Sequence, residues 1–175
     1  AVKKVCCDAA QGEVVEAVNF NSPGQVVIAG QRDAVLRGME KAKEAGAKRA
    51  IMLPMSVPSH CSLMKPAAEA LGEYLGTVEV KRPEIPVIHN VDLFRHTEPE
   101  EIRHALVGQL YRPVRWVETI RIFSKEGIKA VVECGPGKVL AGLNKRIEPD
   151  QAVFALTDAA ALEEAASKLT REGTC

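Results

Sequence analysis

Ile51-Met-Leu-Pro-Met-Ser-Val-Pro-Ser-His60-Cys-Ser-Leu-Met64 is the stretch on which the fold turns. The apolar run from Ala50 to Leu53 predicts a strand. Pro54 and Pro58 forbid its continuation, because proline lacks the amide proton a central ladder needs. From Ser62 onward Met64, Ala68, Leu71 and Leu75 recur at helical spacing. His60 therefore falls between the end of a strand and the start of a helix, where ligands bind in an open α/β sheet. A plainer reading stands beside this one: a lone histidine at a helix start caps or packs.

Upstream, residues 13–20 and 25–29 are β-rich and flank Asn21-Ser22-Pro23-Gly24, so they predict a hairpin. A helix is expected from about Asp33 to Ala45, stopped by Gly46, and then a strand over 48–53. Strand, strand, helix, strand is the last four elements of a βαββαβ unit, with residues 2–10 as the stump of its first helix. The chain opens at Ala1 inside that helix-like phrase and reads as a piece of something longer.

Downstream, 77–80 and 85–90 read as short strands, with Asn90-Val-Asp92 as turn chemistry. Thr97 and Glu100 fit a capping box opening a helix, and Pro113 starts another that Gly127 stops. Residues 128–134 predict a strand, followed by Gly135-Pro-Gly-Lys138 and a helix through Ile147. This is no P-loop. Its glycines are expected to permit a tight turn and close packing, and the helix start could hold an anion. A strand over 152–156 and a helix over 159–169 end the chain.

The 175 residues allow a real core, burying ~70% of the unfolded surface. Acidic and basic side chains balance at 23 each, which argues against a broad nucleic-acid surface. No apolar run approaches the ~20 residues of a membrane span. Cys6, Cys7, Cys61, Cys134 and Cys175 lack zinc-ligand spacing and read as free thiols of a reducing cytoplasm. Cys61, beside His60, is a buried small thiol rather than a nucleophile on this reading. His89, His96 and His104 are structural or exposed, and no metal is expected.

Five phrases, in this order, together resemble bacterial malonyl-CoA:acyl carrier protein transacylases: Val18-Asn-Phe-Asn-Ser-Pro-Gly-Gln-Val-Val-Ile-Ala-Gly30, Val57-Pro-Ser-His-Cys61, Val87-Ile-His-Asn-Val-Asp92, Gln109-Leu-Tyr-Arg-Pro-Val-Arg-Trp116 and Glu133-Cys-Gly-Pro-Gly-Lys-Val-Leu140. The resemblance covers the family's C-terminal half. It implies an α/β fold, part of an α/β-hydrolase-like acyltransferase domain (57–175) plus an incomplete ferredoxin-like small subdomain (1–56).

It also implies ping-pong transfer of malonyl from malonyl-CoA to the phosphopantetheine thiol of acyl carrier protein, in cytoplasmic fatty-acid synthesis. His60 would be the general base, a task for a residue type that changes charge near neutral pH. The main-chain carbonyl of Gln109 would orient it. Asn19 and Asn21 would line the acyl-pantetheine channel, or equally stabilise their own turn. Malonyl-CoA and the carrier protein are the implied partners, with no cofactor beyond these thiol substrates, no nucleic acid and no membrane.

The family's GxSxG nucleophile elbow lies upstream, and no Gly-x-Ser-x-Gly occurs in these residues. The chain by itself is therefore expected not to transfer acyl groups and to need the family's N-terminal half as a partner. The competing reading is a non-catalytic ferredoxin-like binding module that keeps the acyltransferase scaffold.

Overall fold

A computed structural model describes residues 1–172, so Cys175 lies outside the described residues. The fold is α/β and divides into two compact units, Ala1–Trp116 and Val117 onward. The expected boundary near residue 56 falls inside the first unit.

The first unit begins with helix α1 (Val2–Ala10), then strands β1 (Val15–Ser22) and β2 (Gln25–Gly30), then helix α2 (Arg32–Glu44). The strands pair antiparallel across the Pro23-Gly24 turn, where Gly24 takes φ +79°, as the hairpin signal predicts. Both helices pack on this ribbon, and Cys6, Ala9, Val15 and Ala34 form the buried centre. Small side chains make that packing close: a Cβ at Gly38 would stand 2.9 Å from Ile28 Cδ1. Arg37 closes the layer by donating to Ala9 O (2.9 Å), Ala10 O (3.1 Å) and Glu13 (2.7 Å). The last carbonyls of α1 thus gain the partners that a helix end lacks.

A 3-10 turn (Ser62–Met64) leads into α3 (Lys65–Gly76), which packs against α4 (Pro99–Tyr111). Gly72 and Gly108 permit close contact with Val107 and Val91, each 3.5 Å from where a Cβ would stand. Arg103 donates to Leu75 O (3.0 Å) and Val78 O (2.9 Å), capping the end of α3.

In the second unit, α5 (Trp116–Lys125, its first residue at the boundary) precedes β3 (Ala130–Cys134), α6 (Val139–Ile147), β4 (Ala152–Leu156) and α7 (Ala159–Glu172). β3 and β4 pair in parallel, joined by α6 as a crossover.

Several expectations need correction. No strand forms over 48–53, 77–80 or 85–90; among the described residues the only sheets are the two strand pairs above. A β-type run makes a ladder only beside another strand, and Pro83 and Pro86 also remove donors from the 80s. The expected strand at 48–53 instead leaves Ile51 58% and Met52 46% exposed, and Ile85 is 76% exposed. Thr97 does not cap α4. Glu98, extended before Pro99, occupies that position without a side-chain cap, so the Thr97–Glu100 spacing is one residue out. Pro113 does not begin α5, because Val114 bonds β1 as donor to Val18 O (2.8 Å) and acceptor from Phe20 N (3.0 Å). Gly135 and Gly137 serve neither positive φ nor close packing. The start of α6 is filled from within: Glu133 accepts from Leu140 N (3.2 Å) and Ala141 N (2.7 Å).

Candidate active site

An α-helix leaves its last carbonyls without intrahelical donors, and two of those at the end of α4 are taken by His60. The His60 main-chain N–H donates to Leu110 O at 2.9 Å, and ring Nδ1 lies 2.7 Å from Gln109 O. A carbonyl only accepts, so Nδ1 carries the proton and Nε2 is left as the acceptor nitrogen. The ring borders a groove of about 430 Å³ whose apolar side is Met64, Leu71, Leu75 and Leu106 and whose polar side includes Ser59 and Gln109.

His60 has φ +67°, left-handed backbone that a residue with a Cβ adopts at a cost of about 1–3 kcal/mol. Such strain persists where the surroundings over-determine it. Here the main chain is held at His60 itself by Leu110. It is held again two residues later, where Ser62 N–H and Oγ–H donate to Glu16 at 3.1 and 2.6 Å. Cys61, between them, is fully buried.

The Cys61 thiol donates to Pro58 O at 3.1 Å. Burial pushes its pKa up and the Glu16 carboxylate adds to the rise, outweighing an opposing hydrogen bond from the Leu63 backbone. A thiol held protonated is a poor nucleophile, as expected of Cys61. Iodoacetamide at pH 8 is expected to label exposed Cys7 and Cys134 while buried Cys6 and Cys61 resist until the chain unfolds. Peptide mass mapping reads the order, and early labelling of Cys61 would contradict this account.

The other sequence candidates are distributed. Asn19 and Asn21 lie on β1, where the ladder shifts register on either side of Phe20, and neither lines the His60 groove. His89 is buried and His104 exposed. His96 Nε2 pairs with Asp92 Oδ2 at 2.8 Å. Burial alone would raise the Asp92 carboxyl, but bonds from His96 and the Phe94 N–H prevail and hold it below its ordinary value. The latter bond is the Asx-type turn expected at 90–92. A larger hollow of about 620 Å³ in the second unit, beside Lys145, Phe154 and Lys168, contains no histidine or thiol. The paired imidazole and helix end make the smaller groove the chemical one.

No protein-family model matches the chain. Among curated proteins, the malonyl CoA-acyl carrier protein transacylase of Haemophilus influenzae is 54% identical over 160 residues, 91% of this chain and 51% of its own length. The chain is a homologue of the malonyl-CoA:acyl carrier protein transacylases. It spans about half the length of the curated transacylases it matches, and the matched half is C-terminal. Among solved structures, the acyl carrier protein S-malonyltransferase of Vibrio cholerae superposes with a TM-score of 0.93 at 56% identity, covering 94% of this chain and 54% of that one. A malonyl-transacylase solved in complex with its type II PKS acyl-carrier protein gives 0.94 at 50% identity, covering 95% and 54%.

Within this transacylase homologue, sequence reasoning missed Glu16 altogether. No spacing rule relates a strand carboxylate to a hydroxyl 46 residues away.

Proposed function

We propose that this chain is the histidine-bearing C-terminal part of an enzyme that moves malonyl from malonyl-CoA to the phosphopantetheine thiol of acyl carrier protein in fatty-acid synthesis. The observation that carries the reading is the 2.7 Å bond between His60 Nδ1 and Gln109 O in a chain homologous to transacylases.

That bond leaves Nε2 available as a base. Nε2 takes the proton of a serine hydroxyl supplied by the N-terminal half as its oxygen attacks the malonyl thioester. It returns that proton to the departing coenzyme A thiolate. In the second half-reaction Nε2 takes the proton of the pantetheine thiol, whose sulfur attacks the malonyl-serine ester, and the serine oxygen recovers it. While the ring is cationic, the partial negative charge at the C-terminal end of α4 favours it. The chemistry requires no cofactor beyond these two thiol substrates.

On the same reading, residues 1–56 are an incomplete ferredoxin-like small subdomain and 57–175 part of an α/β-hydrolase-like domain, in a cytoplasmic protein. Asn19 and Asn21 contribute to the acyl-pantetheine channel. The exposed apolar residues at 51–57 and 85–87 are surfaces that the N-terminal half covers. Exposed apolar patches of this kind ordinarily mark an interface. No helix among the described residues is long and apolar enough to cross a membrane.

Intact-mass analysis with malonyl-CoA tests the reading. The 175 residues by themselves are expected to gain no malonyl group, whereas the full-length protein gains one, on a serine outside this chain. Stable malonylation of Cys61 would overturn the assignment.

A further inference from the structure

The Glu16 carboxylate does something a local helix cap does not. The 3-10 turn after His60 has Cys61 at its cap position, but the Cys61 side chain does not cap the turn. The missing acceptor comes instead from β1, 46 residues earlier, and it engages both donors of Ser62. A two-oxygen clamp on backbone and hydroxyl together fixes where the chain leaves His60 and also its direction.

On the other side, His60 N–H is fixed to Leu110 O. Between these anchors the His60 backbone is held at φ +67°, with the ring on Gln109 O. Release of either anchor is expected to let φ relax toward negative values and carry the imidazole off its carbonyl. We infer that Glu16 is a positioning residue: through Ser62 it ties the β1–β2 hairpin to the strained His60 backbone and so keeps Nδ1 on Gln109 O and Nε2 presented as a base. The inference rests on the general-base reading of His60.

The test uses the full-length protein carrying this chain, with Glu16→Ala, Glu16→Gln, His60→Ala and the double variant. Glu16→Ala is expected to lower kcat about 10-fold with KM for malonyl-CoA changed less than about twofold, the signature of a misplaced base rather than lost binding. Glu16→Gln keeps one acceptor oxygen and is expected to recover most of that rate. In the His60→Ala background, Glu16→Ala should cost no further rate, because its effect passes through the absent ring, while it lowers Tm equally in both backgrounds.

A second readout is independent of activity. The imidazole ¹H–¹⁵N spectrum is expected to show His60 as the single Nδ1–H tautomer in the parent and as a tautomer mixture in Glu16→Ala. Where Glu16→Ala yields no folded protein, Ser62→Ala gives the same spectroscopic comparison. An unchanged kcat in Glu16→Ala with His60→Ala inactive overturns the latch and leaves the general base standing. A repeated 10-fold loss in the His60→Ala background also overturns it. Undiminished turnover in His60→Ala removes both.

Discussion

His60→Ala in the full-length protein is expected to reduce malonyl transfer at least ~10²-fold, the loss that follows removal of a positioned general base. The expectation rests on geometry. A ring that only packed would be sealed in hydrocarbon, whereas this one is half-buried at the rim of a groove, with Nδ1 spent on Gln109 O and Nε2 unspent among the described residues. Because the orienting oxygen belongs to the peptide, Gln109→Ala should retain the hydrogen bond and stay within about threefold of the parent rate. The pair of variants separates a main-chain orienter from a side-chain one. Steady-state transfer from malonyl-CoA to holo carrier protein measures both, and a fully active His60→Ala enzyme is the result that would remove the assignment.

Gly30→Ala is expected to be the most damaging single methyl in the first unit. The carbonyl oxygen of Val14 lies far inside contact distance of where a Cβ would be placed, with Val14 C and Val15 Cα each 2.7 Å from that point. All three are main-chain atoms of β1 and its approach, so no rotamer change relieves the clash. The strands must separate at the point where Gln31 N–H bonds Val14 O (2.8 Å) and Gln31 Oε1 accepts from Val14 N–H (2.7 Å). Loss of that closure and the strain together cost about 3 kcal/mol or more, a large share of the ~5–15 kcal/mol that holds a domain folded. The corresponding fall in Tm is roughly 10 °C, measurable by thermal unfolding. Gly46→Ala is the control: it also replaces a positive-φ glycine, but nothing stands within 4 Å, so only backbone strain remains. Equal Tm losses in the two variants would refute the collision argument.

Neighbouring residues were enough to reveal some elements. Asn21-Ser22-Pro23-Gly24 between two β-rich runs announced the hairpin, and the 3.6-residue spacing of Ala68, Leu71 and Leu75 announced α3. Strand β3, helix α6 and strand β4 were visible in two short apolar runs flanking a helical one, whereas their parallel pairing was not. Thr97 misled for a local reason, one residue of offset before Pro99, and Pro113 for a tertiary one, a bridge from β1 that kept Val114 extended. The strand expected over 48–53 failed for a different reason. Its residues have the right character, but a ladder belongs to two segments, and no strand among the described residues pairs with it.

The candidate site divides in the same way. Sequence patterns alone left His60 open between a ligand site and a packed residue, and the family resemblance favoured the first. That its Nδ1 would meet a carbonyl 49 residues later, and that Ser62 would be held by Glu16 from 46 residues earlier, are facts of packing.

By itself the sequence determined the helices, the hairpin, the turn before His60 and the kinship with transacylases. Those depend on periodicity, proline and glycine, and on phrases read in order. Only the tertiary structure decided which orphan carbonyls of α4 the histidine satisfies, which carboxylate restrains its strained backbone, and which apolar runs become strands. Each of these requires a partner brought close by folding, and hydrogen-bond geometry across tens of residues has no local code.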